Sequence, residues 1–426
     1  MRILCISIFA ILRFSVFAQD YDTLSIQFLK KNLVPIESIE PDQEMTTDLM
    51  FLNQELEGVE IVLLGEQGHG DGSTFLVKTR VIKFLHEQQG FNVLAFESGL
   101  ADCYRVWEAI QNGADSLGVF DLGIFPVWAK SRQVQPLFEY ILEQSKTDYP
   151  LILAGFDMQP TGSLLSPLDR YDEINEFLSL NFGNNWSDSY PQFHSVYENI
   201  PRVFQSPLSK EEDQILRQEI KSLTAELMAI EGNVKSQVMA RYLENLYATI
   251  TLFSKADLQD PSNTPHIFNI RDKSMAENFT LLKEEVYSGE KIIAWGANSH
   301  FGYGRALLGS FEGMEAPQQA MIPAGQYLKI DFQDRLYTLA FTSAGGMYGS
   351  MNAEPFDLGL SKQGSLERQI QKLGHNYAFL SLRNKELLGK RLVTRAYGHS
   401  EMSGVWSLMA DGLFFINSMG ASEFID

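Results

Sequence analysis

Glu66 and His69 stand three residues apart in Gly65-Glu-Gln-Gly-His-Gly-Asp-Gly72, a stretch too rich in glycine to pack as core. A neutral imidazole, with an ordinary pKa of about 6.5, can take a proton from water near neutral pH, and a neighbouring carboxylate orients it and stabilises the cation that forms. His69 therefore reads as a general base and Glu66 as its partner. The stretch is no phosphate loop, because no Gly-Lys-Ser/Thr follows it.

Three more ionisable groups follow short apolar runs in the same way. Runs at 59–64, 91–96, 150–154 and 291–295 read as buried strands, and behind them come Glu66 with His69, then Glu97, Asp157 and His300. Helical patterns at 73–89 and 134–144 alternate with these runs, which predicts an α/β fold: a mainly parallel sheet flanked by helices. In such a sheet the carboxyl ends of the strands open onto one crevice, and ligands bind there. Taken singly, each polar residue is an ordinary strand end. As a set, three of them in glycine-bearing turns, they read as a site.

The helix after the glycine-rich stretch sets Lys78 within an apolar stripe of Phe75, Ile82 and Leu85. A lysine facing inward needs an anionic partner, unless its stem carries the charge out to solvent. Arg271 raises the same question, since it precedes Met275, Leu282 and Val286 on one helical face, and Asp272 beside it reads as a first-turn helix charge. Nucleophile motifs are missing: Gly398-His-Ser-Glu-Met402 lacks the second glycine of an esterase elbow, and Gly90 stands where a zincin needs its second histidine. His194, His266 and His375 are scattered and read as surface or structural, whereas His399 fits either role.

Arg2 followed by an apolar run to Phe17 and by Val16-Phe17-Ala18 reads as a secretory signal peptide over 1–18, cleaved after Ala18, which predicts a periplasmic or secreted protein with no membrane attachment once cleaved. Cys5 leaves with it, so Cys103, in an apolar helical stretch, is a lone thiol that reads as buried and inert. With 54 acidic against 34 basic residues and a net charge of −20, the chain repels nucleic acid and anionic lipid, and its partner is a small-molecule substrate. Residues 19–163 form the first part of the α/β core, 164–289 a helical insertion, and 290–426 the second part. Strands are expected to return in that second part at 327–332, 335–341, 377–382 and 412–416. The sequence leaves the oligomeric state open.

At these residues the chain resembles the erythromycin esterase family, hydrolases that open macrolide lactones, together with many uncharacterised relatives. Gly65-Glu-Gln-Gly-His-Gly70 is similar to the family's GExxHG, 90–97 to its GFxxxxxE, Gly155-Phe-Asp157 to its GxD, 269–278 to its NxRDxxMAxN, and Trp295-Gly-Ala-Asn-Ser-His300 to its WxHNxH. The resemblance implies a hydrolase without metal or other cofactor, in which His69 acts as base on a water that Glu66 and Glu97 help to orient. It implies catalytic roles for His300 and for Lys78, which stands where the family has an arginine and would offer charge to an oxyanion. It sets Arg271, Asp157 and Asn298 on the substrate side. The first histidine of WxHNxH is Ala297 here, so macrolide hydrolysis does not carry over with the reaction class. Two alternatives stand beside this reading: a binding protein that kept the fold without the chemistry, and a divalent metal held by Glu66, His69, Glu97 and His300.

Overall fold

The structure is a computed structural model that describes residues 21–161, 168–200, 206–230, 232–255, 263–310 and 319–425. The expected signal peptide lies outside them. Eight strands form one sheet: β1 (Leu33–Ile36), β2 (Ile61–Leu64), β3 (Phe91–Gly99), β4 (Ile152–Asp157), β5 (Lys291–Trp295), β6 (Leu336–Ser343), β7 (Tyr377–Ser381) and β8 (Gly412–Ile416). Their spatial order is β1-β7-β8-β6-β2-β5-β3-β4. Pairing is parallel from β8 through to β4, and β7 runs antiparallel to both its neighbours. The four apolar runs expected to be parallel strands are thus adjacent, as β2-β5-β3-β4.

Residues alternate between the two faces of the sheet, as the pleat requires. Val62, Leu64, Leu94, Phe96, Ile293 and Trp295 point into one core with helix α1 (Gly72–Gln89) and helix α3 (Gln135–Gln144), α2 (Leu100–Gln111) being shared between the faces. Ile61, Leu63, Val93, Ala95, Ile292 and Ala294 point into the other, against Met275, Ala276 and Phe279 of a helix at Thr264–Leu281. Helix α1 ends where Gly90 takes a left-handed φ of 75°, the cap that glycine adopts without strain. Between β4 and β5 the described residues are mainly helical, and helices at Lys210–Met228 and Val234–Lys255 share a separate core with Trp186, Phe193 and Tyr197. No helix among the described residues is long and apolar enough to cross a membrane.

One expected strand is a helix. Residues 327–332 alternate like a strand, but Ala324–Phe332 is helical behind Pro323, because Ala324, Leu328 and Phe332 recur every four residues and bury together while Ile330 stays outside. A second, small antiparallel sheet joins Leu392–Tyr397 to Ser400–Gly404 through the two-residue turn Gly398-His399. Both turn residues have φ near 60°, as a type I′ hairpin turn demands, and glycine accepts that more readily than histidine.

The glycine-rich turn is braced from a distance by residues 418–425. Ser422 donates its amide to Gly70 O at 2.9 Å, Gly420 exchanges bonds with Ser73, Met419 bonds to Gly345 and Met347, and Glu423 and Ile425 bond to Arg132 and Lys130. Only the Ser422 bond reaches the turn itself, and the others, each worth about 1 kcal/mol net, anchor the segment to the elements around it. Truncation after Asn417 is expected to lower the thermal unfolding midpoint and to expose the turn at 65–72 to hydrogen exchange. A truncated protein with an unchanged midpoint and unchanged exchange would show that the brace does nothing.

Candidate active site

The register of the sheet decides which side chains meet. Leu64 and Phe96 both pair with Trp295, so these three residues end their strands at one level. Gly65-Glu66, Gly296-Ala297 and Glu97 lie one step beyond. Gly65 cannot carry a side chain there, since a Cβ would run into the amide of Asn298.

Glu66 is fully buried, and its carboxylate is met by three side chains. Its Oε1 accepts from His69 Nδ1 at 2.9 Å and Trp128 Nε1 at 3.0 Å, and its Oε2 from Lys78 Nζ at 2.6 Å. The bond to Glu66 leaves Nε2 of His69 facing outward as the proton acceptor, with 41% of that side chain accessible. Burial works against a charged His69, but the hydrogen bond and charge of Glu66, with Glu97 adding to them, raise its pKa above the usual value. Trp128, on a short helix at Pro126–Ala129, also meets the imidazole edge-on at 5.1 Å.

Lys78 is where the inward stripe predicts, fully buried and paired with an anion. Its ammonium also donates to Gly296 O at 3.2 Å and lies 4.1 Å from the centre of the Trp295 ring. Burial pushes its pKa down. With no accessible surface it cannot reach an oxyanion, which corrects the role implied for it: it holds Glu66 rather than substrate.

Glu97 forms the second half of the site. Its Oε2 accepts the Ala297 amide at 2.8 Å, and its Oε1 faces Arg271 Nη2 at 2.9 Å and His300 Nε2 at 3.3 Å. Burial would raise its pKa, but the charges of His300, Arg271 and His69 and the Ala297 amide bring it down to about 2. It is a permanent carboxylate. Ala297 thus serves the site through its backbone, although it has no imidazole to offer.

Arg271 reaches into this cluster from the helix at Thr264–Leu281. It is bound through Nε and Nη2 to Asp157 at the end of β4, its Nη1 stands 3.4 Å from His300 Nε2, and 22% of its side chain is accessible. Asp157 gives its remaining capacity to the Gln159 amide. It therefore orients Arg271 and does not face substrate itself. His300 presents Nδ1 to both oxygens of Asp272 at 2.9 Å; burial lowers its pKa, yet Asp272 and Glu97 outweigh that and raise it. Asn298 is corrected too. Its Nδ2 donates to Phe341 O and Ala396 O, and its Oδ1 accepts from Phe341 N, so this buried side chain clamps the main sheet to the small sheet and both its amide hydrogens are spent on backbone.

The sequence did not mark three contributors. Trp128 carries no motif. Asp272 read as a helix-end charge, although its place beside Arg271 in the helix offered a signal. Asp71 is fully buried, accepting Gly68 N at 3.0 Å and His399 Nε2 at 2.8 Å, so the hairpin turn with its left-handed histidine secures the His69 loop. Cys103 is buried and bonded to Gly123 O, and burial drives its thiol pKa well up, so it is no nucleophile.

A divalent metal would need the lone pairs of Glu66 and Glu97, and those already face Lys78, Arg271 and the Ala297 amide. Among the described residues no group of three or more His, Cys, Asp or Glu side chains is arranged to hold a metal ion.

The sequence matches the family model described as erythromycin esterase over residues 86–410. It is 31% identical over 279 residues to a putative hydrolase, YbfO, of Bacillus subtilis; the match spans 59% of this chain and only 58% of that relative's length. It is 21% identical to an erythromycin esterase type II of Escherichia coli over 94% of this chain and 99% of that one. The fold is shared with a mutant of the erythromycin esterase EreC in its open conformation, with a TM-score of 0.64 at 18% identity, covering 91% of this chain and 98% of the other.

Removing one partner of a buried ion pair strands the other, a loss of about 3–5 kcal/mol. Lys78→Met is expected to destabilise the protein by that order in urea unfolding, and Lys78→Met with Glu66→Gln to recover much of it. Purely additive losses in the double variant would show that the two side chains are not coupled.

Proposed function

Because the chain belongs to the erythromycin esterase family, a family of hydrolases, we propose that it cleaves a carboxylic ester or lactone by direct attack of a water that His69 deprotonates. The observation that carries this is the His69 imidazole, tied by Nδ1 to a buried glutamate and open on its other nitrogen. No serine, threonine or cysteine among the described residues hydrogen-bonds that ring, so water is the nucleophile that the geometry favours.

In this reading a water bound between His69 and Glu97 loses its proton to His69 Nε2 while its oxygen attacks the acyl carbon. Glu66 and Lys78 keep the imidazole in the right tautomer and orientation. As the carbonyl oxygen becomes negative, the accessible edge of Arg271, steadied by Asp157, supplies the positive charge expected earlier of Lys78. When the tetrahedral intermediate collapses, the proton held by His69 passes to the departing alkoxide, and His300 keeps Glu97 and Arg271 in register. The ion pairs of Glu66 and Glu97 occupy the positions that a metal would need, which supports a reaction independent of metal.

Macrolides are not proposed as substrates, since Ala297 removes one proton carrier that the family motif supplies. The apolar leader and its Val16-Phe17-Ala18 boundary support a periplasmic or secreted enzyme, and the net charge of −20 supports a small-molecule substrate over nucleic acid.

His69→Ala and Glu97→Gln are each expected to cut ester or lactone turnover by about a hundredfold or more, with circular dichroism unchanged. Full turnover in both folded variants would refute the proposal. Since His69 must be neutral to act and its pKa is raised, kcat/KM should climb with pH through a limb above about 6.5. A limb below that value would mean that Glu66 does not tune the base. Extensive dialysis against EDTA should leave turnover intact, and loss restored by a stoichiometric divalent ion would favour the metal reading.

A further inference from the structure

Beyond His300 lies a charged side chain that the proposed reaction does not use. Phe268 stacks on the His300 imidazole, with ring centres 5.1 Å and planes 8° apart. The guanidinium of Arg305 lies 5.0 Å from the centre of that same phenyl ring and 5.4 Å from that of Tyr397. Arg305 is only 7% exposed. Among the described residues its one hydrogen bond runs from Nη1 to Ser299 O at 3.1 Å, and its Nε is buried without an acceptor.

The other buried basic side chains show what is unusual here. Lys78, Arg80, Lys283 and Arg395 face Glu66, Asp48, Glu60 and Glu401 at 2.6, 2.6, 3.0 and 3.7 Å. Arg305 faces no carboxylate within that range among the described residues. An unpaired buried charge is costly, and two ring contacts do not offset that cost. Burial also works against its charge, with only Tyr397 and Asp272 acting the other way. A guanidinium presents a planar fork of donors that suits a carboxylate or a phosphate. The protein's overall negative charge disfavours anions at long range, so an anion would have to be held by one specific cation.

We infer that Arg305 is an anion-recognition residue of the cleft, binding an oxyanion group, carboxylate or phosphate, on the non-reacting part of the substrate. The substrate class is then an anionic ester or lactone. The word substrate rests on the hydrolase reading above, but the binding site does not.

Two measurements separate these. Thermal unfolding of the full chain is followed with succinate, with inorganic phosphate, and with neutral succinamide, all at matched ionic strength. At least one of the two anions should raise the wild-type midpoint saturably and succinamide should not. Arg305→Met should lose that response, and Arg305→Lys, which keeps the charge without the fork, should show a weakened one. An unresponsive wild type, or an equal response in Arg305→Met, overturns the inference. In the second arm, monomethyl succinate is compared with methyl butyrate. Wild type should prefer the anionic ester by about tenfold or more in kcat/KM, as a charge-assisted hydrogen bond allows, and Arg305→Met should bring that ratio near one. Anion-dependent stabilisation with no hydrolysis of any ester would sink the hydrolase reading and leave the anion site standing. Hydrolysis with no anion preference would overturn the assignment of an anionic substrate and leave the hydrolase reading standing.

Discussion

The arrangement depends on one buried carboxylate. Glu66 has no accessible surface, so its charge must be met entirely by the protein, and it is met by an ammonium, an imidazole and an indole on three separate elements. Each partner is constrained in turn by serving it. Lys78 is drawn inward from a helix whose apolar stripe it interrupts, Trp128 is fixed by its ring nitrogen, and His69 is left with a single orientation. The same bonds that neutralise the glutamate therefore fix how the imidazole presents its other nitrogen.

The second carboxylate follows the same logic from another side. Glu97 ends in a cage made by Arg271, His300 and the Ala297 amide, and behind those stand Asp157 and Asp272. Acid and base alternate outward from the cleft, so no buried ion in this chain of contacts lacks a counterpart. Two of the bases are histidines whose pKa values the neighbouring carboxylates raise above the usual imidazole value, so both hold their protons more firmly than a free imidazole would. Arg305 stands just outside this alternation and, unlike the buried Lys78, Arg80, Lys283 and Arg395, faces no carboxylate among the described residues.

The loop that bears His69 is secured by contacts far away in the chain. Asp71 holds Gly68 from within and is itself held by His399, whose left-handed backbone comes from a hairpin turn more than three hundred residues on. Residues 418–425 close over the same loop with backbone hydrogen bonds. A turn with four glycines has little conformational preference of its own, so its shape must be imposed by neighbours. These neighbours impose it.

The sequence by itself determined what is local or periodic. Runs such as 59–64 and 91–96 read as buried strands, the stripe around Lys78 set the base of that lysine on the inner face, and the glycine-rich turn kept Glu66 close to His69, because strand pleat, helical repeat and glycine freedom act over a few residues. The strand at 327–332 misled because a short apolar segment fits both periods, and only the packing of Ala324, Leu328 and Phe332 chose the helix. The partners of each charge were decided by the tertiary structure alone. Whether Lys78 meets an oxyanion or Glu66, whether Asn298 meets substrate or the backbone of Phe341, and whether Asp272 is a first-turn helix charge or holds His300 all follow from how the strands and helices pack. Charges act through space rather than along the chain, and distance in space is what the fold sets.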